Sequence, residues 1–205
     1  MGVLNREEIK DRIARSDYDN KLVITPLLSE NQIGPASVDI RLGSAIIFPK
    51  KTFVDRHDVT QPDQARQAER RIYEKVRLKY HDRFILHPNE LILAATFEYV
   101  CLPSDVFCLV ATRSSWGLLG LVIATASVVQ PGYKGCLTLE LANLSDSPIA
   151  LYPGLLVGQL VLMDVEGKTK EAIYQGRYDC PTEPEMPRFY TQEVDEEMQF
   201  WSSEP

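Results

Sequence analysis

The chain has 205 residues, of which 44% are hydrophobic and 25% charged, enough apolar material for one sizeable core in a single domain of ordinary size. Of its 29 acidic and 22 basic side chains, seven acids and a single base, Arg188, lie in residues 183–205, so residues 1–182 hold 22 acids against 21 bases. A nearly neutral body excludes broad, salt-driven nucleic-acid binding while leaving room for one small basic pocket, and no apolar run approaches the roughly 20 residues of a membrane span.

The polar stretch from Asn5 onward lacks a signal-peptide core, and Arg6 stands where a myristoylation motif after Gly2 requires Ser or Thr. A soluble, cytoplasmic protein is expected. Asn5 suits a helix N-cap, Glu7 and Glu8 suit a first turn, and Leu4, Ile9 and Ile13 recur near helical spacing, so a helix should run to about Ser16. After Lys21–Ile24 and a Pro-containing loop, Val38, Ile40 and Leu42 alternate with polar residues in Ala36–Gly43 as in a half-buried strand, which places Asp39 and Arg41 on one face. Gln61–Lys79 is polar and basic, with Pro62 at its start, and reads as a helix or a long surface insertion.

From Phe84 onward the pattern changes to strand-sized apolar runs: Phe84–Leu86, Glu90–Ala95, Glu98–Leu102, Val106–Ala111, Leu121–Val129, Gly135–Leu141, Pro148–Leu151 and Leu156–Leu162. Turns such as His87-Pro88-Asn89, Gln130–Gly135 and Pro153-Gly154 separate them. Short strands at regular spacing without helical pattern between them predict a mainly β, antiparallel sandwich or barrel. The last ~25 residues, rich in Pro and Glu, read as an extended arm that needs a partner surface to become ordered.

Cys101, Cys108, Cys136 and Cys180 form no CxxC pair, and three of them sit in apolar stretches, so buried thiols are expected. His57, His81 and His87 form no HxH or HxxxH pair, and no protein-held metal is expected. Thr112-Arg113-Ser114-Ser115, between an apolar strand and a Gly-containing turn, offers a cation, hydroxyls and successive N–H groups, as an oxyanion site requires; an ordinary surface turn has the same composition. In Leu137–Leu141, Glu140 places a carboxylate in an apolar strand with Thr138 on the same face. Burial raises such a carboxyl's pKa into the range of general acid–base work, unless a structural ion pair with Arg41 or Arg113 explains it. Asp39 poses the same question and fits a structural hydrogen-bonding role.

Six blocks, Ala36–Gly43, Leu86–Glu90, Arg113–Ser115, Pro131–Gly135, Leu137–Glu140 and Tyr152–Gly154, occur in the order found in the dCTP deaminase/dUTPase superfamily, and residues 1–178 resemble dCTP deaminases in particular. The resemblance implies a distorted antiparallel β-barrel with an N-terminal helix, assembled as a homotrimer with active sites at subunit contacts. A C-terminal segment would close over the nucleotide, and residues 179–205 would be an acidic tail. It further implies zinc-independent deamination of dCTP to dUTP, with magnesium arriving, if at all, on the triphosphate. Glu140 would be the general base, Ser114 would help hold the water, and Arg113, Ser114 and Ser115 would serve the phosphates. The backbone at Thr125 and Ala126 would read the pyrimidine edge, and Tyr174 and Arg177 would belong to the closing segment.

Several positions depart from that family's pattern. Leu118 stands where an Arg holds the Glu and water, Val128 where an Arg binds nucleotide, Gln130 where Asp precedes Pro-Gly, and Ile173 and Arg177 replace a Lys and a Gln of the closing segment. Without the Asp, cleavage of the triphosphate is not expected. Two functions therefore follow from the resemblance: a deaminase that retains its base, or a nucleotide-binding trimer with little or no turnover. A purely structural trimer fits Arg113–Ser115 and Tyr174-Gln175 poorly.

Overall fold

Asn5 starts the first helix, α1 (Arg6–Ala14), by accepting hydrogen bonds at its side-chain oxygen from the N–H groups of Glu7 and Glu8, at 3.0 and 3.1 Å, while Glu8 accepts from the Asn5 N–H at 2.8 Å. This reciprocal cap satisfies donors that a helix start leaves open. The structure, a computed structural model, describes residues 2–17, 20–50, 72–165, 174, 176, 178 and 180–188. Ile9 anchors α1 in the core, and Arg12 ties it to the barrel through Asp105 at 2.8 Å and Asp164 at 2.5 Å.

Among the described residues eleven strands follow: β1 (Val23–Thr25), β2 (Val38–Pro49), β3 (Tyr73–Arg77), β4 (Phe84–Leu86), β5 (Leu91–Cys101), β6 (Val106–Thr112), β7 (Leu121–Ile123), β8 (Val128–Val129), β9 (Lys134–Asn143), β10 (Ile149–Leu151) and β11 (Leu156–Asp164). A short helix, α2 (Ser114–Leu118), lies between β6 and β7. The main sheet runs β7-β9-β5-β2-β11-β6-β8, with β1 against β5 and β3 against β2, and every pair is antiparallel. β10 and β4 form a separate pair. The two ends of this order, β7 and β8, belong to one short stretch of chain, so residues 121–129 leave β9 and join β6. The Ala124 N–H donates to the Glu140 carbonyl at 2.8 Å, and the Val110 N–H donates to the Ser127 carbonyl at 2.8 Å. That crossing curls the sheet into the expected distorted barrel.

Val38, Ile40 and Leu42 are fully buried, and side chains of this kind contribute roughly 1.5–3 kcal/mol each when removed from water. β2 continues past Gly43 to Pro49 because Ala45, Ile46 and Ile47 are also buried, between β3 and β5. The helix or insertion expected over 61–79 is in part a strand: Tyr73–Arg77 pairs with Pro49–Ala45, and residues 61–71 lie outside the described residues. Two expected strands merge into β5, whose register shifts between Ala95 and Tyr99, while Leu121–Val129 divides in two.

Among the described residues one carboxylate is fully buried, that of Glu98. It accepts from the Arg41 N–H at 2.7 Å, the Arg41 guanidinium at 2.9 Å and the Gln32 amide at 2.8 Å. Buried charge persists when each oxygen has donors in this way. Among the thiols, Cys108 and Cys136 are buried, Cys101 is half-buried, and Cys180 is exposed, outside the apolar stretches that hold the other three.

Candidate active site

Glu140 is placed by the alternation of β9. Leu137, Leu139 and Leu141 turn into the barrel, so Thr138 and Glu140 project from the other face. The chain that crosses from β7 to β8 passes directly over that face. Glu140 donates its N–H to Thr125 Oγ1 at 2.8 Å, and its carbonyl accepts from Ala124. A regular strand at 124–127 would have paired away these groups; the break leaves Thr125 and Ala126 beside the carboxylate.

Together they line a cavity of about 310 Å³ with Leu93, Val128, Gln130, Tyr133 and Thr138, a size suited to a small molecule. The rest of its wall includes Tyr174, Tyr178, Pro181, Glu185 and Pro187, all from the C-terminal segment. Tyr174 donates its N–H to the Pro131 carbonyl at 2.9 Å and packs edge-on against Tyr133 with ring centroids 5.5 Å apart. Tyr133 in turn donates its hydroxyl to the Cys136 carbonyl at 2.9 Å.

The ion pairs weighed for Glu140 are made elsewhere. Arg41 meets Glu98 at 2.9 Å, and Arg113 meets Asp39 at 3.4 Å. Among the described residues no ion pair or hydrogen bond reaches the Glu140 carboxylate, and burial pushes its pKa above the ordinary 4.5. Such a group can take up a proton near neutral pH more readily than a solvated glutamate. Asp39 keeps the structural role expected of it, since its carbonyl also accepts from Gln32 at 2.8 Å.

The remaining expected residues divide. Thr125, Ala126, Glu140 and Tyr174 meet in the cavity, whereas Arg113, Ser114 and Ser115 do not line it. They sit at the start of α2, where the Arg113 carbonyl accepts from Trp116 and Gly117, and Ser114 and Ser115 are exposed. Arg177 lies outside the described residues. Leu118, on the same short helix, is 89% exposed within this chain. Val128 and Gln130 do line the cavity.

Val129, Tyr133, Tyr178, Pro181, Glu185 and Pro187 are cavity residues that sequence reasoning did not single out. The C-terminal ones had a usable signal: a run of Pro and Glu with two tyrosines upstream cannot form a core, yet its aromatic and ring side chains can cover one. The arm does not await a partner over residues 180–188. Cys136 donates its N–H to the Pro181 carbonyl at 2.6 Å, and Glu185 donates its N–H to Thr138 Oγ1 at 3.0 Å, so this part of the arm is seated on its own chain.

Barrel, crossing strand and desolvated carboxylate define a protein with a cavity of small-molecule size that the Glu140 carboxylate lines. The comparisons make the class specific. Residues 3–165 match the profile of the dCTP deaminase-like family, and the chain belongs to that family. It is 39% identical over 170 residues to the dCTP deaminase of Halorubrum lacusprofundi, covering 82% of this chain and 80% of that protein. It is 41% identical over 165 residues to the "dCTP deaminase, dUMP-forming" of Methanobrevibacter smithii, covering 78% and 79% respectively. The crystal structure of 2'-deoxycytidine 5'-triphosphate deaminase from Agrobacterium tumefaciens superposes with a TM-score of 0.58 at 24% identity, over 78% of this chain. This chain spans about half, 48%, of the length of that protein, and the likeness is one of fold.

Proposed function

We propose that the chain hydrolytically deaminates dCTP in the cavity beside Glu140. The observation that carries the reading is the desolvated Glu140 carboxylate without a protein ion pair, facing a cavity of nucleobase size in a member of this family. Glu140 takes a proton from water as its oxygen bonds to C4 of the cytosine ring. The C4–N bond then breaks, and the proton passes to the departing ammonia, so that dCTP and water give dUTP and ammonia. Thr125 and the backbone of Ala126 border the same cavity and supply hydrogen-bonding groups for the pyrimidine edge.

The relatives' names divide over the product. The name dUMP-forming, carried by the proteins of Methanobrevibacter smithii and Persephonella marina among others, corrects the expectation that reactions in this family end at dUTP. To form dUMP here, a second water would attack the α-phosphorus and expel pyrophosphate. Gln130, an uncharged amide on the cavity wall, supplies no base for that step, and dUTP is the product this reading favours.

Among the described residues, no Lys, Arg or His lines the cavity. The triphosphate therefore needs cations from elsewhere, and at the start of α2 Arg113 is half-buried beside Asp39 with Ser114 and Ser115 exposed next to it. In a homotrimer those residues of one copy would face the cavity of the next, and Leu118 would be covered there. Magnesium would accompany the phosphates rather than be held by protein ligands. The setting is cytoplasmic nucleotide metabolism.

The departures at Leu118, Val128 and Gln130 favour a second reading, a trimer that binds the nucleotide and turns it over slowly or not at all. One experiment separates the two. Ammonia release is measured with dCTP, CTP, dCDP and dCMP, nucleotide products are resolved by chromatography, and binding is measured by calorimetry on the same sample. Ammonia matched by dUTP supports the deaminase, ammonia matched by dUMP and pyrophosphate adds the second step, and tight dCTP binding without ammonia supports the binding protein. Sedimentation of the same sample should show three chains.

A further inference from the structure

Among the described residues the cavity lining carries two carboxylates, Glu140 and Glu185, and no cation, so the phosphates of a nucleotide would meet like charge there. At about 310 Å³ the cavity is at the small end for ligand sites. It takes a nucleoside, and attached phosphates extend to its rim. Arg188 stands against that wall. Its guanidinium pairs with the Glu185 carboxylate and lies over the Tyr178 ring, 5.4 Å from the centroid. Its backbone N–H donates to Tyr178 Oη at 3.2 Å, and the residue before it, Pro187, is itself part of the lining. In residues 183–205 it is the single base among seven acids.

We propose that Arg188 binds the phosphates of the nucleotide, held for that role by Glu185 and Tyr178. This deepens the reading of the cavity as a nucleotide site and rests on it. Arg188 lies beyond residues 3–165, which match the family profile, and beyond Tyr174–Arg177. A guanidinium is a planar fork of N–H donors, so it can keep a carboxylate on one edge and take phosphate oxygens on another. Stacking on the Tyr178 ring fixes the plane of that fork. The side chains of Arg188 and Glu185 are 43% and 29% exposed, and an ion pair so hydrated contributes little to stability. Other groups seat the segment: the Pro181 carbonyl accepts from the Cys136 N–H, and the Glu185 N–H donates to Thr138 Oγ1. What the pair contributes is charge, because it neutralises Glu185 at the cavity wall and sets a cation at the rim, as an anionic ligand requires. A phosphate held by Arg188 also keeps the segment closed, since by linkage whatever the seated segment adds to nucleotide binding, the nucleotide returns to seating.

The test compares dCTP with deoxycytidine, which has the same base and sugar and no phosphate, on the full chain and on Arg188→Gln and Arg188→Lys. Calorimetry gives the dissociation constant of dCTP, and an NMR titration gives that of deoxycytidine. Arg188→Gln should weaken dCTP about tenfold or more, as loss of a charge-assisted hydrogen bond does, and leave deoxycytidine within about twofold. Arg188→Lys, which keeps the charge and loses the fork, should recover part of the loss. Hydrogen exchange at the Cys136 amide, whose partner is the Pro181 carbonyl, supplies a second readout. In the wild type dCTP should slow it several-fold more than deoxycytidine does. That difference should vanish in Arg188→Gln, whose unliganded exchange stays that of the wild type. Equal weakening of both ligands would make Arg188 a structural part of the wall and overturns the proposal, as does a dCTP affinity in Arg188→Gln within about twofold of wild type. Ammonia release from the same samples tests the underlying reading separately. Binding that depends on Arg188 without ammonia keeps the phosphate site and removes the deaminase, whereas ammonia with Arg188-independent binding keeps the deaminase and removes this residue from it. Failure of the wild type to bind dCTP overturns both.

Discussion

Replacing Glu140 by Gln separates the chemistry of the site from its architecture. The amide keeps the side chain's size but cannot accept a proton at neutral pH. General-base help is worth about 10²–10⁴-fold, which at about 1.4 kcal/mol per decade is about 3–6 kcal/mol of barrier. Ammonia release should fall by that factor while the dCTP dissociation constant stays within about threefold, because Thr125, Ala126, Tyr133 and Tyr174 still line the cavity. Stability should move the other way. The carboxyl pKa is raised above 4.5 in the folded chain by burial, so its ionised form is favoured by unfolding. Below the unfolded pKa both states are protonated and the substitution should leave the melting temperature unchanged. As pH rises through the folded pKa the penalty develops, so Glu140→Gln should be the more stable protein at neutral pH. The gain should stay below about 1 kcal/mol, since the half-buried group remains partly hydrated. In the wild type, the acid limb of kcat/KM should lie above pH 4.5, the ordinary glutamate value. Urea melts at pH 4 and pH 7.5, beside an ammonia assay, measure all of this. Ammonia release within tenfold of wild type, or a stability change of equal size at both pH values, would refute the assignment of the base.

Other outcomes follow from residues around it. Leu118→Arg, at a side chain 89% exposed, should leave the unfolding free energy within about 0.5 kcal/mol of wild type; turnover should rise if α2 faces a neighbour's cavity, and initial rates at saturating dCTP measure it. Glu98→Ala leaves Arg41 and Gln32 buried without their acceptor and should cost about 3–5 kcal/mol in urea denaturation. Truncation after residue 167 removes Tyr174, Tyr178, Pro181, Glu185 and Pro187 from the cavity wall and should raise the dCTP dissociation constant at least tenfold by calorimetry.

Much of the barrel was legible because its burial is periodic. Val38, Ile40 and Leu42 alternate in the sequence and are buried in the fold, and Asn5 and Glu8 state their cap in the order of their residues. β3 was not legible, since Tyr73–Arg77 has no buried residue and its outward face carries Lys75 and Arg77, which pair with a glutamate more than a hundred residues away. α2 escaped for the same reason, as none of its five residues is buried. Strand recognition reads the water-excluding face; where a strand or helix has none, local composition describes only its solvent.

The same principle explains why one carboxylate of the site was found and its structural counterpart was passed over. Glu140 and Glu98 are each a single acid in an apolar strand, and the argument that burial of charge demands a partner or a purpose applies equally to both. What separates them is long-range. Glu98 lies opposite Arg41 and Gln32, so its charge is spent on fixing β2 and the Ser29–Ile33 turn against β5. Glu140 lies under the one stretch where the chain changes partner from β9 to β6, and the crossing covers its face without supplying a cation. Sequence periodicity identifies both as costly, but only the topology, by giving Arg41 to one and an open cavity to the other, decides which acid holds the fold and which remains available to a substrate.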